Sequence, residues 1–314
     1  MIAIPAGKGS MPLSLRVSVT DRCQLRCLYC MPPGGVPIRG RDEILSYEEI
    51  VALVACIRDE FGLTKVRITG GEPLVRSDIE RLVGMLADLG APDLALTTNG
   101  LRLAEMAPSL KRAGLRRVNV SLDSLSPETF RRLTGGGDLQ VVLNGIAAAL
   151  DVGLRPLKLN TVVIRGINED DMPALVEFGL QRNCEVRFIE LMPIGPGGRM
   201  FSKGFLSSEA VRQRVSSYFA LTPIGSEAGT SARRYGVVDA EGRRGTLGFI
   251  SSCSSPFCGE CSRLRVTADG RLIGCLARDE GVSVREMLRI GDRQSIVDAV
   301  RHVLEGKTVD RVFE

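Results

Sequence analysis

The chain has 314 residues, of which 44% are hydrophobic and 25% charged, with a formal net charge of +4. This is the composition of a globular protein, and the length allows one large domain plus a smaller one. A charge so small leaves no argument for a polyanion partner, aromatics at 4% offer no stacking platform for nucleic acid, and no apolar run approaches the roughly 20 residues that span a bilayer.

The first strand-like run covers residues 13–20 and leads into Cys23, Cys27 and Cys30, separated by three and then two residues. Three thiolates so close in sequence can hold three corners of an iron–sulfur cube, leaving the fourth iron open. A structural zinc site would show further cysteine or histidine ligands nearby, but the only histidine is His302. The amino terminus lacks the charged-then-apolar order of a secretory signal. The nine cysteines are therefore expected in a reducing, cytoplasmic setting, where they ligate metals instead of pairing.

Further β-branched runs lie at residues 65–69, 94–98, 117–122, 157–164 and 185–191. Ser46-Tyr-Glu-Glu49 and Ser77-Asp-Ile-Glu80 read as capping boxes. Ser126-Pro127 reads as an N-cap followed by proline at the first helical position. Residues 138–152 and 169–181 carry helical periodicity. Strands alternating with helices imply an α/β protein with a parallel sheet. Six strands are fewer than a full barrel, and periodicity alone fits a partial barrel and an open doubly wound sheet equally.

Residues 193–199 are rich in glycine and proline and read as a loop. A helix is expected near residues 207–219, and strand-like runs at 233–238, 245–250, 263–267 and 271–274. Ala268-Asp-Gly270 is a hairpin turn between the last two, and two helices near 284–288 and 294–304 follow. Cys258, Cys261 and Cys275 form a second triplet, two before the hairpin and one after it. Zinc with an acidic fourth ligand is the competing reading of this set. Cys56, Cys184 and Cys253 fit neither triplet and read as buried small hydrophobes. Basic residues recur in or beside the strands, a distribution suited to a small anionic ligand.

The first triplet, with Tyr29 just before its last cysteine, resembles the radical S-adenosylmethionine (SAM) superfamily. The two triplets are joined by Arg67-Ile-Thr-Gly-Gly-Glu-Pro73, Thr97-Thr-Asn-Gly100, Asn119-Val-Ser-Leu-Asp123, Arg187-Phe-Ile-Glu-Leu-Met192 and Arg263-Leu-Arg265. In that order they resemble the GTP 3′,8-cyclase family of molybdenum cofactor biosynthesis. The resemblance implies a partial (βα)6 barrel over residues 1–192 and a smaller α+β domain over residues 193–314. It implies two 4Fe–4S clusters, one on Cys23, Cys27 and Cys30 and one on Cys258, Cys261 and Cys275. SAM would be held by Tyr29, Gly70, Gly71, Glu72, Ser121, Asn160 and Met192, with Asn99 a weaker candidate. GTP would be held by Arg16, Arg67, Thr97, Lys158, Arg187, Arg263, Leu264 and Arg265, with guanine on the open iron of the second cluster.

The implied reaction is reductive cleavage of SAM, abstraction of the C3′ hydrogen of GTP and closure onto C8. No side chain is expected to act as acid or base, and Arg263 and Arg265 are the nearest candidates for a catalytic role. Implied partners are an electron donor such as flavodoxin or ferredoxin and a downstream cyclic pyranopterin monophosphate synthase, with a homodimer possible and neither nucleic acid nor membrane. One departure stands out: where the family usually ends in a Gly-Gly tail this sequence reads Lys307-Thr-Val-Asp-Arg-Val-Phe-Glu314, so the tail's role is expected to be absent with a loss of turnover, supplied otherwise by Val312 and Phe313 covering the pocket, or lost by truncation. The competing readings are a radical SAM enzyme acting on another nucleotide or on a peptide, a two-cluster electron carrier, and a zinc-stabilised nucleic-acid binder.

Overall fold

The computed structural model describes residues 13–307, leaving aside residues 33, 38, 226–230 and 279. The tail 308–314, and with it the expectation for Val312 and Phe313, lies outside the described residues. The strands are β1 (Leu13–Ser18), β2 (Leu63–Thr69), β3 (Ala95–Thr98), β4 (Arg117–Ser121), β5 (Lys158–Val163), β6 (Glu185–Glu190), β7 (Ala220–Gly225), β8 (Arg233–Val238), β9 (Arg244–Ile250), β10 (Arg263–Val266), β11 (Arg271–Ile273) and β12 (Gly281–Ser283). The six runs read from the first two-thirds of the sequence all form strands, and β1 to β6 pair in chain order, all parallel.

The second part of the chain then extends both edges of this sheet. β9 lies parallel beside β6, and β10 lies parallel beside β1, so eight parallel strands stand side by side. Antiparallel partners finish each end, β8 and β7 next to β9, β11 and β12 next to β10. A six-stranded sheet alone would expose two rows of unpaired backbone groups, and these additions satisfy them. β7 and β12 gave no periodic signal; β7 is exposed along most of its length and β12 has three residues, so pairing defines them.

Side chains alternate across the strands. Leu13, Leu15 and Val17 of β1, Val66 and Ile68 of β2, and Val118 and Val120 of β4 are all buried and join one core cluster. Against them pack the apolar faces of helices Tyr47–Phe61, Ile79–Asp88, Leu103–Arg112, Leu139–Asp151 and Met172–Arg182. Burying each such Leu, Ile or Val contributes about 1.5–3 kcal/mol. The other face of the same strands carries the polar and charged residues described below.

Local sequence signals mostly became the expected caps. Ser46 Oγ accepts from Glu49 N at 3.1 Å and Glu49 Oε2 accepts from Ser46 N at 2.6 Å, a complete capping box. Ser126 accepts from Thr129 N at 3.3 Å, with Pro127 at the first helical position. The box expected at Ser77 does not form. Asp78 adopts a left-handed conformation, φ 55°, and starts its helix without a side-chain cap, while the Ser77 carbonyl accepts from the Tyr47 hydroxyl at 2.6 Å.

The loop expected at residues 193–199 is also corrected, because a helix runs over Pro196–Gly204. Its glycine serves close approach: a Cβ on Gly197 would lie 2.6 Å from the Met192 carbonyl and 3.3 Å from that of Tyr29. The hairpin at residues 268–270 forms as expected, with Gly270 at φ 83°. Ser46→Ala removes one half of a complete box and is expected to lower stability by about 1 kcal/mol, read as a drop in the urea midpoint; an unchanged midpoint would show that the helix start is held by packing alone.

Candidate active site

On the face of the sheet opposite the helices, register lines up the cations. Arg16 stands between Arg265 of β10 and Arg67 of β2, and Ser14, two residues earlier, stands beside Arg263. Arg67 neighbours Ala95, which neighbours Arg117. Thr97 neighbours Asn119, Asn119 neighbours Lys158, and Lys158 neighbours Glu185. One step further along the strands, Asn160 stands between Ser121 and Arg187.

Glu185 is the buried carboxylate of this face. It accepts from Arg187 Nε at 2.6 Å, and lies 3.2 Å from Lys158 Nζ and 3.9 Å from Arg234 Nη2. Burial would raise its pKa, but Arg187 and Lys158 hold it below the ordinary carboxylate range. Among the described residues no carboxylate pairs with Arg16, Arg67, Arg263 or Arg265, and Arg67 Nε is buried without a hydrogen bond. Burial depresses the pKa of Arg16, and Arg265, Arg263 and Arg67 depress it further by repulsion. Burial pushes Lys158 down to about 8, with Arg187 adding to the shift. A face of this kind offers forked donors and point charge to an anion.

The first triplet follows the carboxyl end of β1. Gly71 N donates to the Thr20 carbonyl at 2.6 Å and Glu72 N to that of Arg22 at 2.7 Å, so the segment after β2 holds the start of the cysteine loop. A Cβ on Gly71 would meet the Arg22 carbonyl at 2.5 Å, and one on Gly70 the Thr20 carbonyl at 2.7 Å. Only glycine permits that approach.

Glu72 is 1% exposed, and its carboxylate accepts from Leu74 N, Thr98 Oγ1 and Asn99 N at 3.0, 2.8 and 2.6 Å. The Asn99 amide in turn reaches Cys23 Sγ at 3.8 Å. The Tyr29 hydroxyl donates to Asp123 Oδ2 at 2.7 Å, and Asp123 Oδ1 accepts from Val162 N at 2.8 Å. Burial raises Asp123 to about 6. It also raises the thiols of Cys23, Cys27 and Cys30, and neighbouring cysteines add to the shift at Cys27 and Cys30. The three sulfurs thus share one electrostatic site.

The second triplet brackets β10 and β11. Cys258 and Cys261 lie on a 3-10 turn and its cap just before β10, and Cys275 follows β11, which runs antiparallel back toward that turn. Because β10 is parallel to β1, the two triplets sit at opposite ends of one strand pair, with Arg16 and Arg265 between them. A cavity of about 570 Å³ is lined by Cys258, Cys261, Cys275, Arg263, Arg265 and Met192, among others. Arg263 stacks 4.7 Å from the centroid of Phe257.

Burial and the neighbouring cysteines raise Cys258, whereas at Cys261 burial is outweighed by Lys307, Arg263 and Arg265 together, which draw its pKa down. Among the described residues no three His, Cys, Asp or Glu side chains converge closely enough to share one metal ion. A cube takes each thiolate on a separate iron, and each triplet comes from one loop or one hairpin.

Not every expected residue joins the site by its side chain. Leu264 points the other way and is wholly buried in the core, so only its backbone faces Arg263 and Arg265. The carboxylate of Glu72 is spent on the turn it caps. Cys56 and Cys184 are buried, as expected, while Cys253 is half-buried and its amide donates to Glu190 Oε2 at 2.8 Å. Sequence reasoning did not single out Asp123, Glu185, Glu190 or Lys307. Glu185 heads a strand whose first four residues alternate charged and apolar, a signal that was available; Lys307 has no local signal.

Residues 17–179 match the Radical SAM superfamily, and residues 184–312 match Molybdenum Cofactor Synthesis C. A GTP 3′,8-cyclase of Peptoclostridium acidaminophilum is 45% identical over 292 residues, covering 92% of this chain and 88% of its own. One of Petrotoga mobilis is 43% identical over 273 residues, covering 87% and 83%. This chain belongs to the GTP 3′,8-cyclase family of the radical SAM superfamily. Its fold is also that of Streptococcus suis SuiB bound to S-adenosylmethionine, with a TM-score of 0.66 over 92% of this chain and 68% of SuiB, at 16% identity.

The Lys158 ammonium loses its proton as pH rises through about 8. The affinity of the protein for inorganic triphosphate is therefore expected to fall about tenfold between pH 7 and pH 9.5, the worth of one charge-assisted contact. Lys158→Arg, which stays protonated, should flatten that limb. Isothermal titration across the range checks this, and a flat wild-type profile would take Lys158 out of the anion site.

Proposed function

We propose that this protein is a GTP 3′,8-cyclase, converting GTP to (8S)-3′,8-cyclo-7,8-dihydroguanosine 5′-triphosphate at the first step of molybdenum cofactor biosynthesis. The observation that carries the reading is the layer of buried cations held in register between two cysteine triplets at opposite ends of the β1–β10 pair. Cys23, Cys27 and Cys30 would hold one 4Fe–4S cluster, and Cys258, Cys261 and Cys275 the other. Bound there with SAM and an electron, the first cluster supplies hydrogen-atom abstraction, chemistry that no side chain of the chain provides.

The protein's own work is binding, orientation and exclusion of water. Arg16, Arg67, Lys158, Arg187, Arg263 and Arg265 receive the triphosphate, with Glu185 keeping Lys158 and Arg187 drawn together while the site is free. Thr97 and the backbone at Leu264 complete the substrate contacts. Gly70 and Gly71 bring backbone close to the cysteine loop, where SAM is bound along Tyr29, Ser121, Asn160 and Met192. Asp123 acts on Tyr29, and Glu72 on Asn99, so these carboxylates set the loop in place without touching the reacting atoms. Glu190 does the same for the crossing to the second triplet. It accepts from Ser208 N at 2.6 Å, Cys253 N at 2.8 Å and Ser254 N at 2.9 Å.

The division into residues 1–192 and 193–314 follows the change in strand pattern after Met192. The reaction needs one electron from outside, which a flavodoxin or ferredoxin would deliver. Its product would pass to a cyclic pyranopterin monophosphate synthase. Nine unpaired cysteines suit a cytoplasmic setting, and no helix among the described residues is long and apolar enough to cross a membrane.

Anaerobic turnover with SAM, GTP and a reductant is expected to yield the cyclised nucleotide and 5′-deoxyadenosine. Cys27→Ser should abolish 5′-deoxyadenosine formation yet retain about four of about eight irons; normal cleavage by this variant would sink the assignment of the first triplet. Arg265→Ala should weaken GTP binding by about 1–3 kcal/mol while SAM binding changes little. Equilibrium dialysis separates the two ligands, and unaltered GTP affinity would remove Arg265 from the triphosphate site.

A further inference from the structure

We infer that Lys307 is a positioning residue for the second cluster, fixing the Cys261 sulfur and making that cluster easier to reduce. The inference rests on the reading that Cys258, Cys261 and Cys275 hold a 4Fe–4S cluster. Lys307 Nζ donates to the Cys261 carbonyl at 2.6 Å and to the Arg263 carbonyl at 2.8 Å, and lies 3.7 Å from Cys261 Sγ. An ammonium has three donors, and here all three have an acceptor. The charge is therefore aimed at one sulfur, with its position set by backbone on both sides.

The lysine stem is accommodated deliberately. A Cβ on Gly274 would lie 3.0 Å from Lys307 Cγ and 3.1 Å from the Val303 carbonyl, so the residue before Cys275 must be small for the stem to pass. The stem also leaves a fixed platform: helix Arg293–Glu305 is held by buried Val300 and Leu304, and Lys307 N donates to the Leu304 carbonyl at 3.2 Å. Lys307 lines the same cavity as the triplet and Arg263.

Reduction adds one negative charge to a cluster and its thiolates. A cation and a hydrogen-bond donor at a ligating sulfur stabilise the reduced form and raise the potential. The first triplet is surrounded differently: the buried carboxylates of Glu72 and Asp123 lie near Cys23 and Cys27, and Cys23 Sγ accepts from Leu25 N at 3.4 Å and from the Asn99 amide at 3.8 Å.

The test is a mediated potentiometric titration followed by electron paramagnetic resonance, on the full-length chain carrying Cys27→Ser and reconstituted so that it holds the second cluster. Lys307→Met keeps a stem of similar length without the charge. At a fixed potential its ratio of reduced to oxidised cluster should fall about tenfold, which is 59 mV for a one-electron couple, whereas Lys307→Arg should stay near the parent. Gly274→Ala, which crowds the stem, should shift the same way as Lys307→Met. A Met variant with full iron and an unchanged midpoint would overturn the inference, as would an unmoved Gly274→Ala midpoint should Lys307→Met not retain iron. If the Cys27→Ser parent holds no iron at all, the cluster reading itself fails and the inference with it.

Discussion

Mutual repulsion among cations buried on one face of a parallel sheet is the constraint on which the site depends. Arg16, Arg67 and Arg265 stand on three adjacent strands in direct register, with Arg263 two residues before Arg265. Long side chains on a surface would splay into water. Here the ladder fixes every Cα, and one buried carboxylate, Glu185, offsets only Lys158 and Arg187 with Arg234 nearby. Gathering like charges out of water destabilises the protein unless something else compensates. The helix-side core compensates for it, since the alternate residues of the same strands are fully buried apolar side chains. The result is a set of donors already desolvated and oriented for an anion before it arrives, the arrangement that electrostatic preorganisation requires.

Topology does the rest of the positioning. The loops after β1, β2, β3 and β6 all leave from the same end of the sheet, so the cysteine loop, the Gly-Gly turn, Asn99 and Met192 converge though far apart in sequence. The second triplet reaches the other end because the chain, having run up β9 beside β6, crosses to enter β10 beside β1. That crossing is tied down by Glu190, at 2% exposure a buried acid whose oxygens are used by backbone amides and by Ser254 Oγ. Three buried carboxylates, Glu72, Asp123 and Glu190, hold loops in this way. Each is retained in the interior because it accepts hydrogen bonds from groups that would otherwise be unsatisfied.

The sequence by itself determined much of this. Period-two runs bounded by glycine, proline and cap residues specify strands and helices locally, and six strands, the capping box at Ser46 and the hairpin at residues 268–270 follow from them. Cysteine spacing is also legible locally here, because one triplet lies in a short stretch and the other brackets a hairpin that doubles back. What only the tertiary structure decided is what depends on pairing between distant segments. β9 and β10 read as strands of a separate piece, yet each completes an edge of the first sheet, since unpaired edge backbone takes whichever strand reaches it. The glycine- and proline-rich stretch at residues 193–199 read as a loop, yet Gly197 is there to let a helix lie against the Met192 and Tyr29 carbonyls. Glu185 and Lys307 acquire their roles only through neighbours on other elements, Lys158 across a ladder and Cys261 across a cavity. Charge in a sequence has no partner until the chain has folded, and the energy of a buried charge is set almost entirely by that partner.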